Sequence, residues 1–131
     1  MSVRQLRVVV TAEDYDEALR FYRDVLGLPE LGAFSGEHGD VTILDAGRAT
    51  LELSDPAHAD FIDEVEVGRR VAGHVRVALE VADSAAVTRT LEAAGATVLA
   101  EPVRTPWDSL NARLEAPAGL QLTLFTELGG R

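Results

Sequence analysis

Residues 75 to 83 read Val75-Arg76-Val77-Ala78-Leu79-Glu80-Val81-Ala82-Asp83, and this stretch decides the fold. Apolar residues on every second position make Val75 to Val81 a half-buried strand. Asp83 or Ser84 then caps a helix over Asp83 to Ala94, with Gly95 just past its end. Strands over Thr97 to Ala100, Ser109 to Glu115 and Leu120 to Phe125 follow. Upstream, the same order is already present. Residues 6 to 11 (Leu-Arg-Val-Val-Val-Thr) alternate as a strand, and Asp14 to Leu26 carries apolar residues at Tyr15, Ala18, Leu19, Tyr22, Val25 and Leu26, the spacing of an amphipathic helix stopped by Gly27. Val41 to Asp45 and Arg48 to Ser54, parted by Ala46-Gly47, form a hairpin. Leu6-Arg7-Val8 echoes Val75-Arg76-Val77, and Leu51-Glu52-Leu53 echoes Leu122-Thr123-Leu124. The reading is an α+β fold of tandem β-α-β-β-β modules, about 1–55 and 74–128, in a single domain over 1–131. Residues 56–73, with Pro, Gly and the acidic run Asp60 to Glu66, read as a solvated linker.

Composition restricts the chemistry. The 131 residues include 12 basic and 22 acidic ones, a net charge of −10. That balance argues against nucleic-acid or anionic-membrane binding, which needs a positive footprint. No apolar run reaches membrane-span length and the Met-Ser-Val-Arg start has no apolar signal core, so a soluble cytoplasmic protein is expected. There is no cysteine, which excludes disulfides, thiolate nucleophiles and Cys-ligated metals. Every basic residue is arginine, so Schiff-base and P-loop lysine mechanisms are excluded too. Carboxylate, histidine, hydroxyl and arginine chemistry remain.

Strand alternation sorts the side chains into two faces. Leu6, Val8, Val10, Leu51, Leu53, Val75, Val77, Leu79, Val81, Leu122 and Leu124 are assigned to the face under the helices. The other face carries Arg7, Val9 and Thr11, then Thr50, Glu52 and Ser54, then His74, Arg76 and Ala78, and finally Asn111, Arg113, Gln121, Thr123 and Phe125. Polar groups concentrated on the helix-free face of a sheet imply either solvent or a lined cavity.

Val10 to Leu28, with Phe21-Tyr22 ahead of Val25-Leu26-Gly27, resembles the first strand and helix of the glyoxalase, bleomycin-resistance and extradiol-dioxygenase superfamily, the vicinal oxygen chelate proteins. Pro106-Trp107 ahead of Asn111-Ala112-Arg113, and Ala116-Pro117-Ala118-Gly119-Leu120-Gln121-Leu122, are similar to that family's ending. The resemblance implies a curved eight-stranded sheet around a central cavity, the glyoxalase/bleomycin-resistance fold, and usually a homodimer. It also implies one divalent metal held by four side chains, from the first, fourth, fifth and eighth strands. Those positions fall here on Arg7, Glu52, Arg76 and Thr123, and an arginine has no lone pair to give a cation. In a register slipped by two residues, Gln5 and His74 would join Glu52 as a metal set. Both registers stand open at this point.

Around Glu52, the guanidinium groups of Arg7 and Arg76 admit two uses. One arginine suffices to neutralise a buried carboxylate, which leaves the other for an anionic or polar ligand. His74 is either a general base or a half-exposed structural residue. His38 and His58 read as solvated. Trp107 either stacks on a flat ligand or packs against its own hairpin, and Phe34 and Phe125 extend an aromatic wall. The expected ligand-binding set is Arg7, Glu52, His74, Arg76, Trp107, Asn111, Arg113, Thr123 and Phe125. The expected function is metal-free, cofactor-free binding of a small molecule. The alternative is a divalent-metal-dependent lyase, isomerase or dioxygenase.

Overall fold

A computed structural model of the chain describes residues 2–25, 27–116 and 120–129, the side chain of Phe21 aside. Leu26 and the Pro117-Ala118-Gly119 segment lie outside the described residues. Eight strands form one curved, unclosed mixed sheet: β1 (Gln5–Thr11), β2 (Glu30–Phe34), β3 (Val41–Ala46), β4 (Ala49–Ser54), β5 (Val75–Glu80), β6 (Thr97–Arg104), β7 (Ser109–Ala116) and β8 (Leu120–Glu127). Their order is β2-β3-β4-β1-β5-β8-β7-β6. β1 runs parallel to β4, as β5 does to β8, and the two halves meet where β1 lies antiparallel to β5.

The register makes the halves equivalent. Val8 faces Val77, Arg7 faces Ala78 and Val9 faces Arg76, so a pseudo-twofold axis passes beside Val8 and exchanges the arginines. Glu52 pairs with Val9, and Thr123 pairs with Ala78, two residues beyond Arg7 and Arg76 respectively.

Three helices accompany the sheet: α1 (Tyr15–Leu19), α2 (Pro56–Glu66) and α3 (Ser84–Ala93). Asp14 caps α1 through Glu17 N–H, and Asp83 caps α3 through Ala86 N–H. The expected helix over residues 14–26 is only partly α-helical, because Arg20–Val25 winds as a wider π-type turn. Wider winding takes the 3.6-residue spacing out of phase, and Val25, assigned to the apolar face, is instead 75% exposed.

The expected linker is a correction of substance, since residues 56–66 form α2. Asp55 Oδ1 accepts the His58 N–H at 2.8 Å, and Pro56 occupies the first turn, where its missing N–H costs nothing. The buried face of α2 carries Ala59, Asp63 and Glu66. Two carboxylates on the inner face gave that stretch a solvated look.

β6 extends beyond its expected end at Ala100 to Arg104, with two register shifts. As an edge strand it tolerates Pro102. Ala112, Leu114 and Leu124 form a core cluster with Leu79, Val87, Leu91, Ala96 and Val98, beneath α3. The helices do not cover the whole outer face. α1 packs on β4 and α3 on β6, β7 and β8, while Leu6 and Val75 on the central strands remain exposed, against expectation.

Candidate functional site

The inner face of the sheet, α2 and the segment from Phe34 to Gly39 enclose a cavity of about 590 Å³. Its floor carries Arg7, Glu52, Arg76, Asn111, Thr123 and Phe125, all expected there, with Val9, Ser54, Ala78 and Ser109 between them. Trp107 forms part of the rim and faces Phe61 of α2, with ring centroids 6.3 Å apart. Phe34 lines the opposite side.

The three arginines of the sheet's inner face, Arg7, Arg76 and Arg113, are treated differently. Arg7 is surrounded. Its Nε donates to Gln5 Oε1 at 2.8 Å, Nη1 meets Glu52 Oε1 at 3.5 Å, Nη2 lies 3.8 Å from Glu127 Oε1, and the guanidinium stands 4.6 Å from the Phe125 ring centroid. Arg113 is fully buried and lies outside the cavity lining, which corrects its assignment to the ligand-binding set. It donates to Glu66 Oε1, Asp63 Oδ1, Gln121 Oε1 and Thr123 Oγ1, and so clamps α2 to the sheet. Arg76 forms neither kind of cage. Its Nη1 donates to Thr123 Oγ1 at 2.8 Å, and no carboxylate oxygen among the described residues comes within 4.0 Å of it.

Protonation follows from these surroundings. Burial pushes the Glu52 carboxyl above the usual carboxylate range, and the attraction of Arg7 and Arg76 does not fully offset that, with Glu66 adding repulsion. Burial also pushes Asp63 up. The N–H groups of Ala72 and Val71 and the Arg113 guanidinium outweigh it and hold that carboxyl below its ordinary value. Burial pulls the Arg76 guanidinium down, opposed first by Glu66.

His74 is exposed and outside the cavity, again a correction, and its carbonyl accepts from Thr11 N–H at 2.9 Å. The slipped set of Gln5, Glu52 and His74 fails for a geometric reason. β1 and β5 are antiparallel, so moving upstream on both strands moves in opposite directions: Gln5 pairs with Glu80, while His74 precedes Val75, the partner of Val10. Gln5 and His74 thus mark opposite ends of β1, roughly 20 Å apart at the usual rise per residue.

Several lining residues carried no signal as strand positions. Phe61, Ile62 and Glu66 come from α2, and His38 and His58, read as solvated, line the cavity beside it. The His38 ring stacks on Phe61 at 3.9 Å, and the His38 carbonyl lies 3.2 Å from His58 Nδ1. Burial lowers the His58 pKa. The Asp55-Pro56 start and apolar residues at Ala59 and Ile62 were the available signal for that wall.

A family model described as Glyoxalase/Bleomycin resistance protein/Dioxygenase superfamily matches residues 4–124. The chain belongs to this superfamily. Among solved structures, it is similar to a glyoxalase/bleomycin resistance protein/dioxygenase superfamily member from Vibrio splendidus 12B01 (12% identity, 96% of this chain and 100% of that one, TM-score 0.69). It is also similar to a hypothetical protein from Bacillus halodurans C-125 (17%, 99% and 96%, 0.68). A third is Streptomyces coelicolor methylmalonyl-CoA epimerase in complex with 2-nitronate-propionyl-CoA (23%, 96% and 99%, 0.67). At these identities the likeness shows the fold alone. No curated protein sequence matches the chain.

The divalent metal that the superfamily resemblance implies does not fit the side chains at this floor. Arg7, Arg76 and Thr123 accompany Glu52, and two guanidinium groups place positive charge where a cation would sit. Among the described residues, no three His, Asp or Glu side chains converge as a metal site.

Proposed function

We propose that this superfamily member is a metal-free small-molecule-binding protein, holding its ligand in the cavity between the two halves of the sheet without a cofactor. The observation that carries the reading is the floor itself: a cavity of about 590 Å³, within the range that takes a small organic ligand, has arginine, arginine and threonine at three of its four metal-bearing positions. Phe34, Phe61, Trp107 and Phe125 supply flat apolar walls. The experiment pairs two measurements on protein purified without chelator. Elemental analysis should give far less than one transition metal per chain. The uncharged probe N-phenyl-1-naphthylamine should bind saturably and quench Trp107. One metal per chain, or no saturable probe binding, would defeat the reading.

The same proposal includes a homodimer acting in the cytoplasm. Leu6 and Val75 leave an uncovered apolar strip along the central strands, and β2 and β6 are open edges. Sedimentation at micromolar concentration should give twice the chain mass, and a monomer would contradict it.

One observation favours an enzymatic reading. Glu52, with its carboxyl held above the ordinary range in a largely apolar cavity, is suited to remove a proton next to a carbonyl. The Streptomyces epimerase, solved with a CoA ester, is a precedent on this fold. Turnover abolished by Glu52→Gln with ligand binding retained would select that reading over simple binding.

A further inference from the structure

Among the described residues, Arg76 is a cavity cation whose hydrogen bonds are largely unspent. Arg76 is 9% exposed, lines the cavity, and uses one donor on the Thr123 hydroxyl. A guanidinium carries five N–H donors in a fixed planar fork. Buried cations are ordinarily met by a carboxylate at hydrogen-bond distance, because desolvation without a partner is costly.

The neighbouring carboxylates are committed elsewhere. Glu66 Oε1 accepts from Arg113 and from Thr123, and Glu66 Oε2 accepts from Asn111 at 2.9 Å. Asp63 serves Arg113 and the backbone of Val71 and Ala72. Glu52 is turned to Arg7. Arg113 and Arg70, whose Nε lies 3.7 Å from Asp63 Oδ2, balance the two carboxylates of α2. Glu66, Glu52 and Asp63 still favour a charged Arg76 through space, yet they supply none of the missing direct contacts.

We infer that the ligand is a flat organic carboxylate, its anionic end held by the Arg76 guanidinium and its ring against Phe34, Phe61 and Trp107. A carboxylate matches the fork with two parallel hydrogen bonds, and a planar body suits walls built of rings. This inference rests on the small-molecule-binding reading, and names the class of molecule for that site.

The test compares two molecules of one shape, 2-naphthoate and 2-naphthamide, by titration calorimetry at pH 8 on the unmodified protein. Naphthoate should bind at least tenfold more tightly. In Arg76→Gln the ratio should fall to near one, while N-phenyl-1-naphthylamine keeps its affinity within about twofold. A ratio near one in the unmodified protein, with the uncharged probe still bound, overturns the carboxylate assignment and leaves the binding reading intact; it points to a neutral carbonyl ligand. Failure of all three probes overturns both. Because the naphthoate-to-naphthamide ratio is read on the unmodified protein, the inference stays testable even if Arg76→Gln does not fold.

Discussion

Arg113 and Glu66, 47 residues apart in the chain, meet through two hydrogen bonds to one carboxylate oxygen, Nε at 3.1 Å and Nη2 at 2.9 Å, with both side chains essentially closed to solvent. Asp63 completes the arrangement at 2.8 Å from Nη1. The roof of the cavity is therefore anchored by charge, in a region from which water is excluded.

Removing that anchor should be expensive. Arg113→Met leaves buried Glu66 without its ion-pair partner and Asp63 with only Arg70, whose Nε lies 3.7 Å from Oδ2, and the loss expected is about 3 to 5 kcal/mol. Asp63 also has its carboxyl held below the ordinary value, so its contribution is present above that value and fades as pH falls through the folded one. In Arg113→Met, urea melts should show the lower midpoint at neutral pH, and the deficit relative to the unmodified protein should shrink as pH falls, because protonation of Asp63 relieves the charge left over. A deficit that stays constant with pH would mean that the Val71 and Ala72 amides and Arg70 set the Asp63 proton without Arg113.

Glu52 behaves in the opposite sense. Its carboxyl is raised by burial, so the stability linked to its protonation is full below the ordinary carboxylate value and lost as pH rises through the folded one. Glu52→Gln removes the charged form altogether, and Arg7 keeps Gln5, Glu127 and the Phe125 ring. The melting temperature of Glu52→Gln, relative to the unmodified protein, should thus be higher at pH 8 than at pH 4.5. The strand pattern alone, with Glu52 between two cations, would suggest a net loss at neutral pH. A lower relative melting temperature at pH 8 would show that attraction to the arginines outweighs burial.

Gly39 sits at φ +80°, and a Cβ there would lie 2.3 Å from Asp55 Oδ1 and 2.4 Å from the His58 nitrogen, the two atoms that cap α2. Gly39→Ala should cost about 1 to 3 kcal/mol, the scale of a strained backbone residue. Thermal melts measure that cost. A loss below a few tenths of a kcal/mol would mean the loop moves aside freely.

Trp107 offers a ring to the cavity and little to the core, being 44% exposed. Trp107→Ala should weaken N-phenyl-1-naphthylamine binding roughly 3- to 10-fold, the scale of one lost aromatic contact, with almost no change in stability. The displacement of the probe's own fluorescence signal reads the affinity. Equal affinity would place the probe away from the rim.

Much of this architecture was legible from four strands. The alternation in Leu6 to Thr11, Arg48 to Ser54, Val75 to Val81 and Leu120 to Phe125 put Arg7, Glu52, Arg76, Thr123 and Phe125 on one face, where they stand. What alternation cannot show is strand direction, and an antiparallel β1 and β5 is what sends His74 away from Gln5. Nor can it show that a carboxylate faces inward. Asp63 and Glu66 made α2 look solvated because their partner, Arg113, lies about 50 residues further on, and with α2 went Phe61 and its stacked His38.

The pseudo-twofold axis beside Val8 and Val77 has a consequence for how a guest is oriented. A backbone frame that is the same after half a turn would accept a molecule either way round. The side chains remove that degeneracy: one corner pairs arginine with a carboxylate, the other with a hydroxyl. The duplicated frame supplies the shape of the chamber, and the divergence of Glu52 from Thr123 makes its two ends chemically distinguishable, like the poles of a keyed socket.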